Sequence, residues 1–185
     1  MEKWTRRSLL IAGGATAAAT ALATPSFARS RSSIDRAVPA KVAEMQEQLP
    51  FTQPLVSQAA GMLIIPRVTK GGLMFGAGYG EGSLLIGNAP VDYYSMAAAT
   101  FGLQVGIQQY STALFFMNAD RLAKFRQKDG WTLGADLEYA VLKEGDAAGL
   151  DTNTYPESVF AVAFGHKGLL VAATLEGSKY SRIIR

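Results

Sequence analysis

Short apolar runs separated by glycines begin at Met62 and continue through the rest of the chain. The clearest of them places Phe101, Leu103, Val105 and Ile107 on one parity, with glycines and glutamines between them. A two-residue period is that of a β-strand with one buried face, because successive side chains of a strand point to opposite sides of the sheet. The pattern therefore predicts a sheet of mostly antiparallel strands from Met62 onward.

Two short helices are expected before this sheet. Pro39 suits the first turn of a helix, and apolar residues follow at helical spacing as far as Leu49. The polar and basic residues 29–38 are expected to form a flexible lead-in to that helix. A second helical piece is expected to begin at Gln53 and to run into Gly61.

These elements define an α+β fold class, with a curved antiparallel β-sheet of about six to eight strands and two or three packed helices. The glycine-rich residues 71–87 are expected to form a hairpin or a bulged strand around residues 79–82. A polar loop is expected over residues 143–156. The expected strands cover residues 62–66, 71–80, 82–87, 101–108, 110–117, 133–142, 159–164 and 169–175, and a helix capped by Asn118 covers residues 119–128.

The composition argues against an enzyme. The 185 residues include no cysteine and a single histidine, His166, which excludes thiol nucleophiles, disulfides, cysteine-based zinc sites and most histidine-dependent catalysis. The oxygen ligands available in one polar loop, Asp146, Asp151 and Asn153, do not have the spacing of an EF-hand. We therefore expect no catalytic residues, no cofactor and no metal.

Residues 1–28 have the composition of an export signal. A basic start containing the pair Arg6 and Arg7 leads into a mildly apolar stretch of alanine, glycine and threonine that ends at Ala28. The arginine pair is typical of twin-arginine signals, and the small residues Ser26 and Ala28 favour cleavage after Ala28. We expect an exported, periplasmic protein that associates with membranes.

Two alternatives remain for this segment, which are cleavage after Ala23 and a retained N-terminal membrane anchor.

Cleavage after Ala28 would leave 15 lysines and arginines against 14 aspartates and glutamates. Such a balance gives no support for nucleic-acid binding, which requires a strongly basic face.

Seven segments share a characteristic order and spacing, and they are residues 62–68 (MLIIPRV), 70–72 (KGG), 76–82 (GAGYGEG), 93–95 (YYS), 101–106 (FGLQVG), 114–118 (LFFMN) and 172–177 (AATLEG). Together they resemble the SYLF domain family over about residues 50–185. The resemblance implies a lipid-binding module, since eukaryotic SYLF domains bind phosphoinositide-containing membranes, partly through an amphipathic N-terminal helix, and some bind actin. No actin partner is expected here, because an export signal implies a compartment without actin.

Candidate contact residues fall into a basic set and an apolar set. The basic residues would meet an anionic lipid headgroup, although those near residues 121–128 also suit an ordinary solvated helix face. The apolar residues would contact a membrane or line a groove, although the helical ones also suit docking on the protein's own sheet. The basic candidates are Arg67, Lys70, Arg121, Lys124 and Lys128, and the apolar candidates are Val42, Met45, Leu49, Tyr79, Tyr93 and Tyr94.

The glycine run over residues 76–82 lacks both the spacing of a phosphate-binding loop and the strand–turn–helix context of a dinucleotide site. Its glycines are expected to let strands bend or backbones approach closely.

The predicted function is non-catalytic binding of phospholipid or another anionic lipid at a membrane surface of the bacterial envelope. The alternative is an envelope protein–protein interaction module without a lipid ligand.

Overall fold

A computed structural model of the chain describes residues 29–72, 75–101, 107–142, 159–165, 175 and 177–185. In this part of the chain three helices accompany an eight-stranded sheet, so the predicted α+β fold class is confirmed. The elements are α1 (Arg31–Gln48), α2 (Thr52–Gln58), β1 (Gly61–Gly72), β2 (Phe75–Ile86), β3 (Ala89–Phe101), β4 (Ile107–Phe116), α3 (Ala119–Gln127), β5 (Trp131–Thr132), β6 (Ala140–Val141), β7 (Val159–Phe164) and β8 (Lys179–Ile183).

The strands lie in the order β5-β8-β3-β2-β1-β4-β7-β6. Neighbouring strands are antiparallel except for β6, which pairs parallel to β7. The four long strands β1 to β4 form the centre, and both outermost strands contain only two residues.

Both faces of the sheet are apolar and covered. Leu63 and Ile65 of β1 point to the face that packs on α3, whereas Met62 and Ile64 point to the face that packs on α1 and α2. We call these the α3 face and the α1 face. Each face therefore has its own buried apolar cluster, and the sheet depends on helices on both sides.

The central strand β1 contains a bulge at Pro66. The pairing of β1 with β2 shifts register between Ile64 and Val68, and its pairing with β4 shifts between Ile65 and Val68. Proline has no N–H to donate to a neighbouring strand, so a bulge is the place where a central strand tolerates it. The prediction that the strand ends at Pro66 is therefore wrong, since β1 continues beyond it to Gly72.

The bulge brings the backbone of β1 against two glycines of β2. A Cβ atom added to Gly82 would lie 1.8 Å from the carbonyl oxygen of Ile64, and one added to Gly80 would lie 2.6 Å from that of Arg67. The expectation that these glycines allow close backbone approach is confirmed. Of the two alternatives expected around residues 79–82, the hairpin is wrong, because these residues lie within the single strand β2. A bulge does occur in this pairing, but the extra residue belongs to the facing part of β1.

Residues 31–38, expected as a flexible lead-in, instead form the first half of α1, with Pro39 inside the helix. The physical reason is burial of Ile34 and Val38, which are 0% and 1% exposed against the α1 face. Burying two such side chains contributes about 1.5–3 kcal/mol each, which offsets the roughly 3 kcal/mol cost of an internal proline.

Several local predictions agree with the structure. The strands over residues 110–117 and 159–164 correspond to β4 and β7, and the second helical piece corresponds to α2. Asn118 caps α3, where its Oδ1 accepts the Asp120 backbone N–H at 2.7 Å.

Other predictions fail or cannot be compared. The strand expected over residues 133–142 is replaced by a turn, with a bridge between Leu133 and Leu137, and by the short β6. Strand β8 and most of β3 were not expected from the sequence pattern. The strand expected over residues 169–175, the loop over 143–156 and most of the alternating run at 101–108 lie outside the described residues.

Gly82→Ala is expected to destabilise the protein by roughly 1–3 kcal/mol or more, because its methyl group would overlap the Ile64 carbonyl. The matched control is Gly78→Ala on the same strand and face, where the nearest atoms to an added Cβ lie 3.6–3.8 Å away. That change is expected to be neutral or to stabilise by about 0.4–1 kcal/mol. Urea unfolding measures both, and equal stabilities of the two variants would contradict the close approach of β1 to β2.

Candidate functional site

An apolar groove of about 280 Å³ runs between α1 and the hairpin of β2 and β3 on the α1 face of the sheet. We call it the α1 groove. Most of its lining is aliphatic, with four polar side chains among the lining residues. These residues are Asp35, Val38, Pro39, Val42, Ala43, Gln46, Val56, Met62, Ser83, Leu85, Asn88 and Pro90.

The α1 groove contains one buried polar atom without a partner. Ser83 is 0% exposed, and its Oγ has no hydrogen-bond partner among the described residues. A buried hydroxyl that makes no hydrogen bond costs roughly 1–3 kcal/mol, so native proteins rarely leave one unsatisfied. Ser83 therefore places a buried hydroxyl with unused hydrogen-bonding capacity in the lining of the groove.

The wall of the groove is fixed by contacts between α1 and β3. The Tyr93 hydroxyl donates to Asp35 Oδ1 at 2.7 Å and accepts from Arg31 Nε at 3.0 Å. Burial, and next the hydrogen bond to Asp35, raise the pKa of Tyr93 above its ordinary value. Tyr93 therefore stays protonated and holds the first turn of α1 on the sheet.

Two exposed apolar side chains of the β2–β3 hairpin are adjacent along the chain to residues that line the groove. Ile86 follows Leu85 and Val91 follows Pro90, and each is 38% exposed. Large aliphatic side chains on a hairpin tip suit contact with an apolar surface.

A second cavity, of about 480 Å³, lies further along β2 on the same face. We call it the arginine cleft, because two guanidinium side chains line it. Its lining residues are Arg29, Arg67, Thr69, Gly71, Ala77, Gly78, Tyr79, Gly80, Glu81 and Gln109. Glu81 and Ser83 are two residues apart on one strand, about 7 Å, so the cleft and the α1 groove are neighbours.

Glu81 is 1% exposed and receives three hydrogen bonds. Its Oε1 accepts from the Tyr79 hydroxyl at 2.7 Å and from Arg185 at 2.6 Å, and its Oε2 accepts from the backbone N–H of Arg29 at 2.8 Å. Burial alone would raise the pKa of Glu81, but these hydrogen bonds together hold it below the ordinary value. Glu81 is therefore ionised near neutral pH and ties the start of α1 to the end of β8.

Burial and the bond to Glu81 raise the pKa of Tyr79 to about 12, so its hydroxyl remains a donor. Burial and the nearby charge of Arg67 lower the pKa of the Arg29 side chain below its ordinary value, which is the direction expected where two guanidinium groups lie close together. The arginine cleft thus combines clustered positive charge at its rim with one buried carboxylate.

Three of the predicted site residues line these cavities. Arg67 is exposed in the arginine cleft, Tyr79 lines the same cleft at 38% exposure, and Val42 lines the α1 groove. Leu49 is half-buried and packs against the apolar cluster of the α1 face. Tyr93 is 7% exposed and acts through the contacts with α1 described above.

Three predicted contacts are wrong because their side chains are buried in the protein. Lys70 is 3% exposed on the opposite strand parity from Arg67, and burial lowers its pKa. Met45 is 0% exposed beneath α1, as the alternative of docking on the sheet required. Tyr94 is 1% exposed on the α3 face, where its ring centre lies 4.8 Å from that of Phe125.

The basic residues near α3 are only partly available. Lys124 is exposed and Arg121 half-buried, with Leu122 and Phe125 facing the core as expected. Lys128 follows the helix, pairs with Asp136 at 2.9 Å and lies 4.9 Å from the ring centre of Trp131. This surface remains a predicted headgroup contact.

The other predicted positions lie outside the described residues. They are Arg6, Arg7, Ala28, Asp146, Asp151, Asn153 and His166. Among the residues that the structure covers, no group of three or more histidine, aspartate or glutamate side chains is arranged to hold a metal ion. No described helix is both long enough and apolar enough to cross a membrane.

Sequence reasoning missed Glu81, Ser83 and Asp35. A carboxylate between two glycines within a strand, as in Gly80-Glu81-Gly82, is a signal that could have found Glu81. No local signal distinguishes Ser83 from an ordinary strand serine, because its role depends on what α1 covers.

Comparison with known proteins gives one family. Residues 97–182 match the model of a family described as Ysc84, Las17-binding protein actin regulator. This match supports the resemblance to the SYLF family that the sequence shows. It is a family of binding domains rather than a known enzyme family. No curated protein matches the chain.

The buried carboxylate predicts acid sensitivity. Because the pKa of Glu81 is lowered in the folded state, its contribution to stability is present above the unfolded pKa of about 4.3 and is lost as the pH falls through the folded value. Glu81→Gln should lower stability at pH 7 and weaken its decline below about pH 4.3. Free energies of unfolding at pH 3–7 test this, with Glu47→Gln on the exposed side of α1 as control. An unchanged pH profile for Glu81→Gln would contradict the role assigned to Glu81.

Proposed function

We propose that this protein is a non-catalytic lipid-binding module of the bacterial cell envelope, and that part of an acyl chain occupies the α1 groove. The observation that carries this proposal is an open, mainly aliphatic groove containing an unpartnered buried hydroxyl, beside a cleft lined by two arginines. Aliphatic walls suit methylene groups, and the Ser83 hydroxyl suits an ester carbonyl oxygen.

The size of the groove limits the affinity that we expect for a lipid tail. Each methylene group that enters contributes about 0.8 kcal/mol, and about 280 Å³ accommodates only part of a lipid tail. One partly buried chain gives weak and reversible attachment, so a second interaction is needed for stable binding.

The arginine cleft is suited to supply that second interaction. Arg67 is exposed and Arg29 half-exposed at its rim, and a basic residue near an anionic lipid surface contributes about 1 kcal/mol. Exposed Ile86 and Val91 are placed on the hairpin that borders the groove. Together these features support peripheral contact with an anionic membrane.

The envelope location rests on the predicted export signal over residues 1–28. The family description names Las17 binding and actin regulation. We extend neither partner to this chain, because an exported protein does not meet actin. What we extend is the class of activity, which is binding without turnover.

Ala43→Trp is expected to weaken lipid binding, because Ala43 lines the groove and is exposed, so an indole there fills the space without displacing core atoms. Exclusion of about two methylene groups lowers the affinity roughly ten-fold. The control is Ala40→Trp, on an exposed part of α1 that does not line the groove.

Liposome co-sedimentation and mass spectrometry of lipid extracted from the purified protein measure both variants. Equal lipid binding by Ala43→Trp and Ala40→Trp would exclude the groove as the acyl site. Wild-type protein that neither carries lipid nor sediments with any vesicle would favour the protein–protein interaction module instead.

Arg67→Glu is expected to reduce binding to vesicles containing phosphatidylglycerol by roughly thirty-fold at low salt, since a reversed charge changes the surface interaction by about 2 kcal/mol. The difference should shrink as salt rises, because the Debye length falls from about 10 Å at 0.1 M to about 3 Å at 1 M. Lys124→Glu on α3 is the comparison. A larger loss with Lys124→Glu than with Arg67→Glu would place the headgroup contact on α3.

A further inference from the structure

We propose that Glu81 is the internal acceptor for a new N-terminal ammonium group, which removal of residues 1–28 creates on Arg29. This inference rests on the proposed cleavage after Ala28 and does not require lipid binding. It assigns to a buried strand carboxylate a role in the processed protein that the unprocessed chain does not have.

The backbone nitrogen that would become the ammonium already lies at hydrogen-bonding distance from the Glu81 carboxylate. The backbone nitrogen of Arg29 lies 2.8 Å from Glu81 Oε2, and cleavage between residues 28 and 29 would turn this same nitrogen from a neutral amide into an ammonium. A charge-assisted bond between an ammonium and a carboxylate has a length of about 2.7–2.9 Å, so no rearrangement of the chain is needed.

The two carboxylate oxygens have separate partners. Oε1 accepts from the Tyr79 hydroxyl and from Arg185, whereas Oε2 accepts from the backbone N–H of Arg29. With Glu81 1% exposed, an ammonium at this position would be paired out of bulk water, where charge interactions are stronger.

The position of α1 supplies a second reason. Arg29 immediately precedes Ser30, whose Oγ caps the helix by accepting the Ser33 N–H at 3.3 Å. A positive charge at this end is disfavoured by the helix dipole, and the first turn of α1 contains no acidic residue that would compensate. Glu81 on β2, on the face of the sheet that α1 covers, provides the compensating charge.

Removal of residues 1–28 would therefore change the contact that holds the start of α1 on the sheet. Before cleavage Glu81 accepts a neutral N–H at Oε2, and after cleavage it accepts a charged donor. The new contact strengthens the attachment of α1 to β2 between the α1 groove and the arginine cleft.

The test uses the full chain expressed in an exporting host and recovered in its processed form. N-terminal sequencing should return Arg29 as the first residue, and any other first residue would overturn the inference. The rate at which an acylating reagent labels the α-amine is then measured over pH 6–9, because only the uncharged amine reacts.

The amine would face Glu81 and also two cations, which are Arg185 on Glu81 Oε1 and Arg67, whose charge lowers the pKa of the Arg29 side chain. Direct pairing with Glu81 should outweigh these cations and raise the pKa of the amine above its ordinary 7.7–8.0. At pH 7 labelling should be about ten-fold slower in the wild type than in Glu81→Gln, which corresponds to about one pKa unit. Glu47→Gln, which changes an exposed carboxylate of α1, should label like the wild type.

Should Glu81→Gln fail to fold, the wild type alone decides the question. Its α-amine is labelled in the native state and in urea, and a native rate about ten-fold slower at pH 7 supports the pairing. Equal rates for the native and unfolded wild type, or for folded wild type and folded Glu81→Gln, would overturn it.

Discussion

The packing of α1 on a second apolar face of the sheet is the interaction on which the remaining features depend. β1, β4 and β7 bury side chains on both faces, so a sheet covered only by α3 would expose Ile64, Phe115 and Val162 to water. α1 covers that face through Ile34, Val38 and Met45 but does not fill the space toward the β2–β3 hairpin. The α1 groove is what remains.

The local part of the fold could be predicted from the sequence, and the non-local part could not. β4 and β7 follow from short apolar runs, and α3 follows from its apolar spacing and the Asn118 cap, which are properties of neighbouring residues. The first half of α1 was missed because its stability comes from burial on distant strands and not from its own polar composition. The same reason explains why Ser83 gave no site prediction.

Strand parity accounts for the mixed outcome among the predicted site residues. Arg67 and Lys70 are three positions apart on β1, so their side chains leave the strand on opposite sides. Only Arg67 reaches the arginine cleft, while Lys70 is enclosed on the other face. Adjacent tyrosines separate in the same way, since Tyr93 contacts α1 and Tyr94 packs on Phe125. The alternation of side chains can be read from the sequence. The assembled sheet decides which face a helix covers and which side chains stay exposed.

Binding of an acyl chain in the α1 groove is tested most directly by photo-cross-linking. Phosphatidylglycerol with a diazirine near the middle of its acyl chain is incorporated into vesicles with the wild-type protein, irradiated, and the labelled residues are mapped by mass spectrometry. Labels are expected on α1 between Val38 and Gln46 and on the hairpin between Leu85 and Pro90, which line the groove. Labels confined to α3, or none on either side of the groove while the protein remains bound to the vesicles, would contradict acyl-chain binding at this site.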